Sequence, residues 1–126
     1  MARPGAKPGD WKATPLPADS AALPIPQRHF SAAEMARIRD GLVPEEMEDK
    51  WFIVWDDDRL RFHRSWTGLC VYEARFAPDD DGATLVEARV SREHGRYGHA
   101  ADDDNARLMM WLIEALLLRR SVPLPV

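Results

Sequence analysis

Six consecutive residues near the middle of the chain carry most of the side-chain chemistry needed to hold an anion: His63, Arg64, Ser65, Trp66, Thr67 and Gly68. Arginine offers a planar fork of N–H donors to a phosphate or carboxylate, and the two hydroxyls add further donors. The glycine lets the backbone approach closely, and the indole offers a face for stacking on a ring. The segment therefore predicts a site for a phosphate-bearing ligand. A plain hairpin corner, with Trp66 packed on the core, explains the same residues.

Arg64 differs in character from the residues that share its side of a predicted strand. Leu60 and Phe62 have the same parity as Arg64, and both are apolar. A charged group in such surroundings is costly unless it has a partner, a ligand or a route to solvent. We expect Trp51 to provide a cation–π contact. An acid such as Asp49 would then pair with the guanidinium, or an anionic ligand would reach it.

The predicted ligand-binding residues flank or belong to this corner: Lys50, Trp51, His63, Arg64, Ser65, Trp66 and Thr67. No catalytic residue is assigned, because no acid is placed behind His63 to orient it as a base. Glycine-rich phosphate loops are absent, and no cofactor is expected.

Two other functions fit the sequence. The small size, the net negative charge and the lack of a complete set of nucleophile, base and orienting acid favour a protein–protein interaction or immunity-type inhibitor protein. Alternatively, a small hydrolase would use His63, or the loop that holds His94 and His99. These last two histidines precede the acidic residues 102–104, but their spacing matches no strong metal-binding pattern, so no metal site is predicted.

A continuous apolar run predicts a strand over residues 51–55, and alternating residues predict three more, over 60–65, 69–77 and 84–92. One register of the third hairpin sets Glu73 against Arg89. The same register sets Arg75 against Glu87, so that two ion pairs form across the strands. A slip by one residue would place charges against apolar side chains.

The phase of these strands divides the sheet into an apolar core face and a mixed face. It places Cys70 and Val86 on the core face, and Val71 and Leu85 on the mixed face. Cys70 and His63 then point to opposite sides of the sheet and do not form a nucleophile–base pair. Cys70 is expected to be a buried structural thiol.

Two helices are predicted beside the sheet. Ser31 and Glu34 form a capping-box pattern that starts a helix over residues 32–40. A longer apolar-rich segment over residues 106–120 predicts a C-terminal helix that covers the core face. The fold class is therefore α+β: a four-stranded antiparallel meander sheet packed by a C-terminal helix, with an N-terminal helix and a proline-rich strap.

Residues 1–26 hold six of the ten prolines and are expected to be extended rather than helical. Such a stretch is either a disordered tail or an ordered strap across the domain. Trp11 and the later leucines favour a strap from about Trp11 onward. We therefore divide the chain into this N-terminal segment and a single α+β domain over residues 27–126.

Length and charge narrow the class of protein. The chain has 126 residues, one cysteine and a net charge of −4. One cysteine excludes an internal disulfide framework, and the acidic balance argues against a nucleic-acid partner. No apolar run is long enough to span a membrane and no signal peptide is recognisable, so a cytoplasmic protein is expected. A homodimer or protein partner would use the C-terminal helix if Ile113, Leu117 and Leu118 stay exposed.

Two strings of residues carry a resemblance: Met47-Glu48-Asp49-Lys50-Trp51-Phe52, and Phe62-His63-Arg64-Ser65-Trp66-Thr67-Gly68 followed by Val71-Tyr72. Over roughly residues 42–120 the chain resembles a family of short, poorly characterised bacterial domains. These domains are loosely associated with proteins that process ADP-ribose, such as macrodomain and ADP-ribosylglycohydrolase fusions. The resemblance implies a binding or accessory function near a nucleotide-type ligand.

Overall fold

The protein combines helices with one antiparallel sheet, so the predicted α+β class is confirmed. The structure is a computed structural model that describes residues 6–7, 9–46, 48–92 and 101–122. The elements follow in the order β1 (Ser20–Ala22), β2 (Arg28–Ser31), α1 (Ala32–Asp40), β3 (Trp51–Asp56), β4 (Arg59–Arg64), β5 (Cys70–Asp79), β6 (Gly82–Ser91) and α2 (Asp102–Leu112). Helix α2 continues into a π-helical turn, Ile113–Leu117.

The sheet has six strands in the described part of the chain, so the predicted number of four is wrong. The path β6-β5-β4-β3 is the expected meander, and β1 and β2 both pair with the outer edge of β6. They were missed because they are only three and four residues long and lie in or beside the proline-rich segment. Their partners lie about 70 and 55 residues away along the chain. Local sequence patterns carry no information about strand pairing over such separations.

Helix α1 begins as the capping box predicts. The Ser31 hydroxyl accepts a hydrogen bond from the Glu34 backbone N–H, and the Glu34 carboxylate accepts one from the Ser31 N–H. The helix is capped by Gly41, whose φ of 60° is a positive value that glycine adopts easily. Because two strands precede α1, it is not an N-terminal helix in the fold.

The predicted charge register is confirmed over its central part. Glu73 lies opposite Arg89, and Arg75 lies opposite Glu87. Of the two expected ion pairs, Arg75–Glu87 forms at 3.3 Å, whereas Glu73 pairs with Arg59 and Arg61, and Arg89 donates to Ser20. A β-bulge between Arg75 and Phe76 then shifts the pairing by one residue. Such an extra residue reverses the faces beyond it.

The bulge corrects two assignments made from strict alternation. Phe76 pairs with Leu85 rather than Val86, and Leu85 is fully buried in the main core, whereas Val86 is only partly buried. A second irregularity, between Phe62 and His63, sets His63 opposite Cys70. Val71 accordingly belongs to the main core.

The main core lies between one face of the sheet and a helical layer made of α1, which contributes Met35 and Ile38, and α2 with its π-helical turn. Large fully buried side chains of the sheet, such as Phe62 and Tyr72, meet Met109 and Leu112 there. Ile113, Leu117 and Leu118 are also buried in this core. The predicted partner surface on the C-terminal helix required these three residues to be exposed, and they are not.

A cluster of charges fastens the π-helical turn to α1 and β2. Glu114 pairs with Arg28 and with Arg120, and Arg120 also reaches Glu34 at 2.6 Å. A backbone hydrogen bond at Ser31 and the Arg120 guanidinium lower the pKa of Glu34. The cluster therefore holds the end of the chain's second helix against the first.

The beginning of the described part of the proline-rich segment lies against the other face of the sheet, whereas Leu23 and Ile25 pack against the main core. We call residues 9–17 the strap and this side of the sheet the strap face. Nearby, Ala6 packs with Phe52 and Val54 in a small second core, and Trp11 contacts its margin. The division at residue 26 stays a prediction. In the described residues, no helix is both long and apolar enough to cross a membrane.

Candidate functional site

The corner over residues 63–68 is a turn whose polar atoms are largely occupied by backbone. The Ser65 hydroxyl donates to the Asp49 carbonyl at 2.7 Å, and the Thr67 hydroxyl accepts from the Leu69 N–H at 3.2 Å. The Gly68 N–H donates to the Arg64 carbonyl at 2.7 Å. These two hydroxyls therefore hold the turn in shape rather than standing ready for a ligand.

The strap crosses directly over this turn. The Trp11 indole N–H donates to the Ser65 carbonyl at 2.6 Å, and the Thr14 N–H donates to the Gly68 carbonyl at 2.8 Å. Gly68 has a φ of 76°, and a Cβ there would lie 2.9 Å from the Lys12 carbonyl oxygen. Gly68 is thus required both by its own backbone and by the passage of the strap.

A groove of about 430 Å³ opens where the strap meets the turn. We call it the indole groove, and its lining consists of Trp11, Lys12, Glu45, Glu46, Ser65 and Trp66. Trp66 is 66% exposed, whereas the two residues beside it in the chain are fixed by the bonds described above. The groove therefore presents an accessible indole on a rigid turn, next to a second indole.

Arg64 and Trp51 lie on the core side of the sheet and do not line this groove. The Arg64 guanidinium carbon is 4.8 Å from the centre of the Trp51 ring, which confirms the predicted cation–π contact. Trp51 stacks in turn on Tyr72, and the Tyr72 hydroxyl donates to Asn105 at 2.7 Å. This sequence of contacts ties the end of β4 to α2.

His63 occupies a third environment, beneath the strap. The residue is 2% exposed, its ring contacts the Phe52 ring, and its Nδ1 lies 3.2 Å from the Gly68 carbonyl oxygen. Burial lowers the pKa of His63, although the Gly68 carbonyl opposes that effect. The imidazole is therefore neutral at pH 7.

A cleft of about 350 Å³ adjoins this histidine. We call it the histidine cleft, and its lining consists of Gly9, Trp11, Ala13, Thr14, Pro15, Val54, Asp56, Arg61 and His63. Trp11 lines both hollows, so the strap separates them. The predicted site residues are thus divided among the indole groove, the histidine cleft and the core side.

Cys70 and His63 do not point to opposite faces as predicted, because the irregularity in β4 and β5 makes them cross-strand partners. They nevertheless do not form an activated pair. The Cys70 thiol donates to the Tyr72 carbonyl at 3.3 Å, and burial raises the pKa of Cys70 to about 12. The thiol stays protonated at neutral pH and is a poor nucleophile.

Charged side chains on the strap face neutralise one another. The Arg61 guanidinium donates to Glu73 at 3.0 Å and to Asp56 at 2.9 Å, and Arg59 donates to Glu73 at 2.8 Å. Burial alone raises the pKa of Glu73, but the hydrogen bonds from both arginines outweigh it and hold that pKa below its usual range.

Several residues of the indole groove were not singled out from the sequence as site residues. Trp11, Lys12, Glu45 and Glu46 come from segments far from residue 66, and only the fold brings them together. The single available signal was an apolar tryptophan in a proline-rich stretch. The predicted Lys50 is exposed, and its carbonyl accepts the Ser65 N–H.

Among the described residues, no group of three or more histidine, cysteine, aspartate or glutamate side chains is arranged to hold a metal ion. His94 and His99, named above for a hydrolase or a metal, lie outside the described residues.

Comparison with protein-family models, with curated proteins and with solved structures gives no match. The resemblance to a bacterial domain family stays a prediction.

Proposed function

We propose that this protein is an interaction module whose indole groove receives a cationic side chain, lysine or arginine, from a protein partner. The observation that supports this most is Trp66, which is 66% exposed although large aromatic side chains are normally buried. Exposed aromatic residues held in fixed positions are typical centres of binding surfaces.

The turn around Trp66 favours binding because it is already ordered. Ser65 is held through its N–H by Lys50 and through its hydroxyl by Asp49. Gly68 is held by Arg64 and by the strap. Little conformational entropy is lost when a partner contacts a side chain on such a fixed backbone.

The charges of the groove favour a cation over an anion. Two acidic residues, Glu45 and Glu46, line it, against one basic residue, Lys12. A guanidinium or ammonium group is attracted both to the face of an indole and to carboxylates. The net charge of −4 acts in the same direction at longer range.

The phosphate-bearing ligand expected from the sequence is a competing candidate. Lys12 is the basic residue in the groove lining that would contact a phosphate. Arg64 lies on the core side of the sheet, over Trp51. Since two carboxylates line the same hollow, we place this candidate second. A hydrolase gains little support, because the Cys70 thiol stays protonated and His63 has no acid hydrogen-bonded to it among the described residues.

Titration of the ¹⁵N-labelled protein tests the proposal. The probes are a lysine- and arginine-rich peptide, the same peptide with glutamine at the basic positions, ADP-ribose and inorganic phosphate. We expect the basic peptide alone to shift the amide resonances of residues 65–67. Trp66→Ala should weaken its binding roughly tenfold, the loss typical of an aromatic interface residue.

A matched pair of charge variants completes the experiment. Glu46→Gln removes a carboxylate from the groove, whereas Glu48→Gln removes an exposed one that does not line it. We expect only Glu46→Gln to weaken binding of the basic peptide. Equal effects of the two variants, full binding by Trp66→Ala, or binding of ADP-ribose in place of the peptide would each contradict the proposal.

A further inference from the structure

The histidine cleft is separate from the indole groove and holds polar groups that the proposed function does not use. At about 350 Å³ it has the size of a small-molecule site. Its apolar lining includes Val54, Trp11 and Pro15, and its polar groups include His63 and Arg61. A few convergent polar groups in an otherwise apolar hollow are typical of ligand sites.

His63 offers a hydrogen-bond acceptor at this cleft. A carbonyl oxygen accepts but never donates, so the 3.2 Å approach of Nδ1 to the Gly68 carbonyl places the ring proton on Nδ1. The neutral ring then has a lone pair on Nε2. Within the part of the chain that the structure describes, Gly68 is the only hydrogen-bond partner of this imidazole. His63 as a residue is only 2% exposed, so bulk water gives this acceptor little compensation.

Arg61 offers donors at the same cleft. Its described hydrogen bonds use Nε toward Glu73 and one terminal nitrogen toward Asp56. Since a guanidinium carries five N–H groups, donors remain for a ligand. The two carboxylates balance its positive charge, and the neutral imidazole adds none. The surroundings therefore favour an uncharged ligand over an anion.

We propose that the histidine cleft binds an uncharged small molecule through an amide-type group, either a carboxamide or a lactam. Such a group carries a hydrogen-bond donor, the N–H, next to a hydrogen-bond acceptor, the carbonyl oxygen. The amide N–H would donate to Nε2 of His63, and the amide oxygen would accept from Arg61. The apolar part of the ligand would lie against Trp11 and Val54.

The first experiment observes the imidazole of the unmodified protein by long-range ¹H–¹⁵N spectroscopy. The probes are benzamide and 2-pyridone, with toluene and benzoate as controls that lack the amide. We expect the free protein to show the Nδ1–H tautomer. Millimolar benzamide or 2-pyridone should move the Nε2 resonance of His63 in the direction of an accepted hydrogen bond, and the controls should not. An unmoved Nε2 resonance with both amides, or an Nε2–H tautomer, would overturn the proposal.

The second experiment compares two variants by the same titration. His63→Phe keeps a buried ring but removes the acceptor, and should weaken benzamide binding roughly tenfold, as expected for one lost hydrogen bond. Trp66→Ala removes the exposed side chain of the indole groove, and should leave benzamide binding unchanged. Benzamide binding that is lost in Trp66→Ala but kept in His63→Phe would place the amide in the groove and refute the cleft site. Because the basic-peptide titration reads the other hollow, the two proposals can fail independently.

Discussion

The two faces of the sheet are closed in different ways. On the core face, α1, α2 and the π-helical turn cover a continuous apolar cluster. On the strap face, a proline-rich segment covers a cluster whose buried members, among the described residues, are Ala6, Phe52 and Val54. A helix supplies a row of apolar side chains at regular spacing, whereas an extended strap supplies few. Residues of the strap line both hollows, and the ion pairs of Glu73 and Glu87 lie on the strap face.

The largest expected effect concerns the packing of the two faces. Phe62 and Phe52 are both fully buried, but Phe62 belongs to the main core and Phe52 to the small one. Phe62→Ala should lower the free energy of unfolding by about 3–5 kcal/mol. Phe52→Ala should cost about 1–2 kcal/mol less, because the strap can settle into the space. Urea denaturation measures both values, and equal losses would show that the faces are equally rigid.

A second comparison sets two ion pairs of the strap face against each other. Glu73 is largely buried between Arg61 and Arg59, whereas Glu87 and its partner Arg75 are both exposed. Glu73→Gln should cost about 1–2 kcal/mol, since hydrogen bonds to charged groups are the stronger ones. Glu87→Gln should change stability by less than about 0.5 kcal/mol. Thermal unfolding of both variants compares the stability contributed by a buried ion pair with that of an exposed one. A larger loss of stability for Glu87→Gln would contradict the expectation.

A smaller effect is expected at the strap itself. Trp11→Phe keeps an aromatic ring but removes the N–H that donates to the Ser65 carbonyl, at a cost of about 1 kcal/mol. The neighbouring Thr14 N–H, which donates to the Gly68 carbonyl, should exchange faster with solvent. The Tyr72 amide in β5 serves as an internal control and should keep its exchange rate. Equal acceleration at both amides would mean that the strap and the sheet open together.

The smallest effect is a pH dependence that belongs to His63. Burial lowers its pKa below the usual value of 6.5, so the unfolded chain binds a proton before the folded chain does. Stability is then fully present above about pH 6.5 and decreases as the pH falls toward the folded pKa. His63→Phe should flatten this decrease between pH 6.5 and 5. An unchanged slope in the variant would assign the dependence to other groups.

Local patterns predicted those parts of the fold that are stabilised locally. The capping box of Ser31 and Glu34 predicted the start of α1, and the alternation of charged and apolar residues predicted the register of β5 with β6 as far as the bulge. The bulge after Arg75 adds one residue without any local signal. Strict alternation therefore assigned Leu85 and Val86 to the wrong faces.

The candidate site was only partly predictable for the same reason. Trp66 was identified because its own neighbours are unusual. Trp11 and Glu46 were not assigned to that site, since their proximity to it depends on contacts across long stretches of chain. The prediction also placed all of these residues in one pocket. Alternation along a strand instead directs His63 and Arg64 to opposite sides of the sheet.

The two short strands on the outer side of β6 have a consequence for how copies of the molecule meet. β1 and β2 together occupy the rim that β6 would otherwise expose, and Pro24 and Pro26 lie in the gap between them. At the opposite rim, Leu42 forms a bridge to Ile53 of β3. An incoming strand would find only brief, interrupted rows of backbone donors and acceptors, and this disfavours the edge-to-edge stacking from which fibrils grow.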